Sequence, residues 1–153
     1  MRALALTLLC VAAASGARAA DDPAAIAKTL GDKFAAACGS GNVEAVLTLY
    51  RDDARVVYPG AGQSAAGKAE LRPMVEATCR KGGPELKLVG YRAVFIDAKH
   101  TAIASLGDWS MAGTSPDGKA TVTPVRATEV LVKDKGGWRY AVDHASIGVP
   151  PAP

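Results

Sequence analysis

Histidine occurs twice and cysteine three times in the 153 residues, and neither gathers around an acidic cluster, so no convincing metal site can be assembled from the sequence. So few cysteines also exclude a disulfide-dense miniprotein. The 16 glycines and 9 prolines recur without period, which removes collagen-like and low-complexity classes. There is no Walker loop, no dinucleotide-binding glycine pattern after a strand, no G-x-S-x-G elbow and no H-E-x-x-H. No cofactor is expected. Basic residues number 18 against 15 acidic ones, with no basic block or stripe, so the footprint of a nucleic-acid binder is missing.

Long apolar runs are also missing. The longest, Ala3 to Ala14, falls short of the roughly 20 residues that span a bilayer. It follows the positive start Met1-Arg2 and precedes Ala17-Arg18-Ala19, a small-x-small cleavage pattern, so residues 1–19 read as a secretory signal peptide. Leu9 before Cys10 argues against lipoprotein processing. Cleavage removes Arg2 and Arg18 and leaves 16 basic against 15 acidic residues, a net charge of +1. The expected product is periplasmic or secreted, without membrane insertion. It comprises one domain over 20–148 and a loose, proline-rich tail over 149–153.

What is present is one globular domain's worth of pattern, with 49% apolar residues. Asp21-Asp22-Pro23 supplies a cap and a first-turn proline for a helix over 23–38, stopped by Gly39. Asn42 caps a shorter helix with Val43, Val46, Leu47 and Tyr50 on one face. Asp53 to Tyr58 reads as a strand, followed by a glycine- and alanine-rich loop. A helical pattern returns from Lys68 to Lys81, with Pro73 expected to end, kink or restart it. Four strands follow: Leu86 to Ile96, Thr101 to Met111, Thr121 to Lys133 and Trp138 to Ile147. Helices first and long antiparallel strands after predict an α+β domain, its helices covering one face of a curved sheet.

Cys38 continues the stripe Ile26, Leu30, Phe34 and Cys79 the stripe Leu71, Val75, which places both cysteines on buried helix faces. In an oxidising compartment a disulfide between them is one reading, closing a loop of about 40 residues and worth about 2–4 kcal/mol. Two buried free thiols are the other.

Several strings, in order, carry a family resemblance: Ser40-Gly41-Asn42-Val43-Glu44-Ala45 leading to Leu49-Tyr50 and Asp52-Asp53-Ala54; Tyr58-Pro59-Gly60; Gly67-Lys68-Ala69-Glu70-Leu71; and Gly136-Gly137-Trp138-Arg139 with Asp143-His144-Ala145-Ser146. Together they resemble the SnoaL-like and ketosteroid-isomerase-like superfamily, whose cone-shaped fold is shared with nuclear transport factor 2. The chain is similar also to the association domain of calcium/calmodulin-dependent kinase II. The resemblance implies about three helices over the concave face of a curved antiparallel or mixed sheet, a pocket between them, and a homodimer through the outer sheet face. It implies no single reaction.

In ketosteroid isomerases the base sits just before the proline after the first strand; that position here is Tyr58. A phenol is a poor general base at neutral pH, so Tyr58 is either a pocket hydrogen-bond donor or a packed aromatic. Simple alternation along the last strand puts Trp138, Tyr140, Val142, His144 and Ser146 on one face. If that face is inward, His144 lines the pocket as a base or polar contact; otherwise it is a hydrogen-bonded core histidine. His100 falls in a turn and is expected in solvent. Asp108 and Arg126 fall in neighbouring strands and could serve a hydrolase or dehydratase if inward-facing. A surface or interface ion pair is the expected arrangement. The expected ligand contacts are Tyr58, Trp109, Tyr140 and His144. The leading functional reading is a pocket for a small apolar or aromatic molecule. Behind it stand an isomerase, dehydratase or hydrolase using His144 with Tyr58 and perhaps Asp108 with Arg126, and a non-catalytic dimeric association module.

Overall fold

The computed structural model describes residues 22–59 and 63–148. The expected signal peptide and the expected tail lie outside these residues.

Helix α1 (Pro23–Gly39) begins where the Asp22 carboxylate accepts the Ala24 N–H at 2.9 Å, with Pro23 at the first helical position. It buries Ala27, Leu30, Gly31 and Cys38 along one stripe. Gly41, at φ +72°, turns the chain into α2 (Val43–Thr48), whose cap Asn42 accepts the Ala45 N–H at 3.0 Å. Strand β1 (Tyr50–Val57) and the three-residue β2 (Ser64–Ala66) then form an antiparallel pair. Helix α3 (Lys68–Thr78) follows; Glu70 reaches back to accept the Ala66 N–H at 2.8 Å.

Of the outcomes expected at Pro73, neither an end nor a restart occurs, and α3 runs through it unbroken. A proline inside a helix costs about 3 kcal/mol. Leu71 and Val75 on either side of it are fully buried, each worth about 1.5–3 kcal/mol, which holds the turn together.

Strands β3 (Glu85–Phe95), β4 (Ala102–Thr114), β5 (Ala120–Asp134) and β6 (Gly137–Ile147) complete a six-stranded mixed sheet of order β2-β1-β6-β5-β4-β3, open at both edges. Among the described residues the one parallel pairing joins β1 to β6. Three helices thus pack on one face of the sheet, α1 chiefly against β3, with α2 and α3 toward β1.

Cys38 and Cys79 form a disulfide, their Cα atoms 4.4 Å apart, tying the end of α1 to the end of α3. Of the two sequence readings of these cysteines, the paired one is correct.

Two bulges set which side chains face the helices. Val89 has no partner in the β3–β4 ladder and Ala141 none in the β5–β6 ladder, so the inward set runs Leu88 then Tyr91, and Tyr140 then Asp143. One extra residue reverses the side-chain parity of everything after it. The expected alternation therefore holds for Trp138 and Tyr140 and fails from Val142 onward: Asp143 is buried, whereas Val142, His144 and Ser146 are exposed on the outer face.

Candidate functional site

On β5 the residues Val125, Ala127, Glu129 and Leu131 alternate inward, which decides the face the sequence left open. Of these, Val125, Ala127 and Glu129 line a cavity of about 70 Å³ together with Leu86 from β3, Trp109 and Met111 from β4, Tyr140, Asp143 and Ala145 from β6, and Tyr58 and Pro59 after β1. Phe34 of α1 and Thr78 of α3 close it from above, so both helices joined by the disulfide contribute to its roof. Phe34 meets the Trp109 ring edge-on at 6.0 Å between centroids. Gly31 brings α1 close at this point: a Cβ there would lie 3.0 Å from the Tyr91 ring and 3.3 Å from Trp109.

Into this apolar wall the fold inserts two carboxyl groups. Asp143 and Glu129 are register partners on β6 and β5, both buried and both lining the cavity. Asp143 Oδ2 accepts from the Tyr50 hydroxyl at 2.7 Å, and the Tyr50 and Tyr58 hydroxyls are 3.2 Å apart. Because the single Tyr50 proton goes to the carboxylate, Tyr58 donates to Tyr50, giving a chain Tyr58 to Tyr50 to Asp143. Among the described residues no hydrogen-bond partner faces Asp143 Oδ1. Glu129 is held differently. The Tyr91 hydroxyl donates to its carboxylate, 2.6 Å from each oxygen, and Ser105 Oγ donates to Oε2 at 2.6 Å.

Burial pushes Asp143 up to about 7; the charge of Glu129 adds to the rise and the Tyr50 hydrogen bond opposes it. Glu129 is also raised by burial, against the pull of Ser105 and Tyr91. Burial lifts the Tyr58 phenol too, with Asp143 adding to it, so Tyr58 stays protonated and acts as a donor. A carboxyl poised near neutrality at the wall of an apolar cavity can give or take a proton at physiological pH. Among the described residues no group of three or more potential ligands could hold a metal ion.

The residues singled out in the sequence separate cleanly. Tyr58, Trp109 and Tyr140 come together in the cavity wall. His144 does not: the Ala141 bulge turns it outward, into a surface depression with Arg55, Ser64 and Glu70. Asp108 and Arg126 are cross-strand partners on the outer face, Asp108 half-buried and Arg126 exposed, with Nε to Oδ1 at 3.9 Å; Arg92 lies closer to Asp108, at 3.2 Å. They form a surface ion cluster and are not part of the cavity. His100, in the turn before β4, stacks on Phe95 at 4.2 Å between ring centroids and remains exposed.

Sequence reasoning missed both cavity carboxyls as site residues. Glu129 carried a signal, sharing its strand face with Val125, Ala127 and Leu131 while Arg126 and Thr128 took the other. Asp143 carried none, because nothing local marks the extra residue at Ala141.

The model of the SnoaL-like domain matches residues 27–150. The chain belongs to the SnoaL-like domain family. No curated protein matches this SnoaL-like chain. Solved structures do match it. A protein from Xanthomonas campestris, named as a candidate calcium/calmodulin-dependent protein kinase II association domain, is 22% identical with a TM-score of 0.70, covering 82% of this chain and 87% of its own. A ketosteroid isomerase-like protein from Erwinia carotovora atroseptica is 20% identical, with a TM-score of 0.65 over 82% of this chain and 96% of its own. A candidate scytalone dehydratase from Novosphingobium aromaticivorans is 12% identical, with a TM-score of 0.68 over 81% and 82%. At these identities the likeness establishes the shared fold, the one anticipated from the sequence strings, and nothing of the reaction.

Proposed function

We propose that this SnoaL-like domain binds a small apolar or aromatic molecule in the cavity beneath α1 and α3. The observation that carries the reading is the cavity itself, an apolar space with Phe34, Leu86, Trp109, Met111 and Val125 in its wall and few polar groups. A water needs at least 10–15 Å³ of such space, so 70 Å³ corresponds to about five waters, the room taken by one ring with a short arm.

A second reading, an isomerase, dehydratase or hydrolase, is favoured by Asp143 alone. Its carboxyl sits near neutrality beside a hydroxyl chain that can take up or return a proton. His144, Asp108 and Arg126 have no part in this version, since they lie on the outer face.

Two further features belong to the proposal. The disulfide fits an oxidising compartment, in keeping with export of the chain. The outer sheet face carries an apolar row, Val94, Ala104, Val130 and Val142 in register across four strands, with Leu106 one rung away, and a second copy of the chain is the proposed occupant.

The test is a thermal-shift screen of the purified protein against single-ring compounds, with Ala145→Leu as a cavity-filling control. A compound at 100 times its Kd stabilises by about 2.7 kcal/mol, a shift of several degrees for a domain of this size. Shifts lost in Ala145→Leu support the reading; a broad panel with no shift in the wild-type protein rejects it.

A further inference from the structure

Several exposed acids of this chain are matched by cations. Asp52 pairs with Lys68, Asp53 with Arg51, Glu44 with Arg72, Asp117 with Lys119, and Asp108 with Arg92. The two buried acids are not. No lysine, arginine or histidine lines the cavity among the described residues. The polar groups that face Asp143 and Glu129 are Tyr50 from β1, Tyr58 after it, Tyr91 from β3, Ser105 from β4 and Tyr140 from β6, all of them neutral hydroxyls. Buried charge is normally paired with opposite charge, and like charges directly opposite on neighbouring strands repel. The site is therefore short of one positive charge.

We infer that the cavity takes a small organic cation, an aryl- or alkylammonium ion whose nitrogen donates to Asp143 Oδ1 beside Glu129 and whose apolar body lies against Trp109 and Phe34. This rests on the reading that the cavity is a small-molecule site. The geometry separates the roles of the two acids. Glu129 has its oxygens taken by Tyr91 and Ser105 and supplies charge, whereas Asp143, a cavity-lining residue more than nine-tenths buried, has no donor to Oδ1 among the described residues and supplies the contact. The aromatic wall adds to the selectivity, because ring faces attract ammonium groups once water is excluded. A neutral alcohol of the same shape satisfies Oδ1 and leaves the repulsion between the two acids in place. A carboxylate ligand adds a third negative charge.

Three isosteric probes test this by titration calorimetry: benzylamine, benzyl alcohol and benzoate, at about pH 8 and about pH 5.5. Benzylamine stays protonated at both, so the change in its affinity reports the protein. The expected result at the higher pH is benzylamine at least tenfold tighter than benzyl alcohol, with benzoate silent. Since the proton on Asp143 must leave before the cation binds, the advantage falls about thirtyfold at the lower pH, while benzyl alcohol changes little. Asp143→Asn is expected to lose most of the benzylamine advantage, keeping only what the charge of Glu129 supplies. Its unliganded melting transition reports whether it folds, and the wild-type pH dependence decides the matter if it does not. Benzyl alcohol or benzoate binding as tightly as benzylamine, or an advantage indifferent to pH, overturns the inference and leaves the cavity reading standing. Absence of heat from all three probes, together with no shift in the compound screen, overturns both.

Discussion

Glu129 on β5 and Asp143 on β6 stand directly opposite each other on the buried face of the sheet. A pair of like acids in that arrangement destabilises a fold when both are ionised, and here burial adds to the cost. The chain answers with hydroxyls, two on Glu129 and one on Asp143, and not with a cation. The fold carries this arrangement at the wall of its cavity, and strongly perturbed acids in a cleft are the usual sign of a candidate functional site.

The pair makes stability depend on pH in a direction opposite to ordinary acid denaturation. Asp143 has its folded-state value raised to about 7, against about 3.9 for an ordinary aspartate. Between those values the folded chain keeps a proton that the unfolded chain has released. The contribution is complete below about pH 4 and is lost as the pH rises through about 7, amounting to about 4 kcal/mol. Glu129, also raised, acts in the same direction. The expected result is a melting temperature that falls from about pH 5 to about pH 7.5, with Asp143→Asn removing most of that slope. A wild-type profile flat over this interval contradicts the assignment.

The hydroxyl chain has a direction, and two conservative variants read it. Tyr50→Phe removes the donor to Asp143 and is expected to cost about 1–3 kcal/mol near pH 8, less where Asp143 is protonated. Tyr58→Phe removes only the outer link and is expected to cost about 0.5–1.5 kcal/mol. Urea unfolding at the two pH values measures both. Equal costs, or a larger cost for Tyr58→Phe, mean that the chain runs the other way or carries little.

The disulfide links positions 41 residues apart and constrains the unfolded chain accordingly, by about 3–4 kcal/mol in the loop-entropy account. The double variant Cys38→Ser with Cys79→Ser is expected to lose about that much in denaturant unfolding. Titration of the unfolded wild-type protein should find neither cysteine as a free thiol. Because Phe34 and Thr78 stand in the cavity roof close to the two cysteines, the double variant should also weaken whatever the cavity binds.

Most of the fold was legible because its boundaries are written in local chemistry. Pro23, Gly39 and Asn42 start and stop helices where the backbone requires them, and long alternating runs divided by Asp97 to His100 and by Gly136-Gly137 leave little doubt about strands. The three-residue β2 was read as loop, since Ser64-Ala65-Ala66 has no strand signature and exists only through its pairing with β1. The site was half legible. Large aromatics such as Trp109 and Tyr140 fall in the core by size alone, but the acids depend on parity. A bulge at Ala141 exchanges Asp143 for His144, and bulges form through pairing with another strand, which a single segment does not display.

Gly67 is a position where only glycine fits. Its φ is +86°, and a Cβ there would lie 2.8 Å from the Asp52 carbonyl oxygen. That contact sets the entry of α3 against β1, whose residues lead to Tyr58 at the cavity. Gly67→Ala is expected to destabilise by about 1–3 kcal/mol in denaturant unfolding, from backbone strain together with the clash. A change within about 0.5 kcal/mol, the range of an ordinary surface substitution, means that the turn relaxes freely.

The outer face supplies the last prediction. Val94, Leu106 and Val142 are 61%, 49% and 39% exposed and belong to one outward apolar row across the sheet, with Ala104 and Val130 between Val94 and Val142, flanked by the charged cluster of Arg92, Asp108 and Arg126. An apolar centre with a polar rim is the composition of a subunit interface. In a twofold dimer each such residue meets the same patch on the partner, so one substitution places two charges in the interface. Leu106→Lys is therefore expected to convert a two-chain mass to a one-chain mass by light scattering at micromolar concentration. The cavity should be untouched, because Leu106 points away from it, and single-ring binding is expected to survive in the monomer. A one-chain mass for the wild-type protein removes the dimer and leaves the face to another partner.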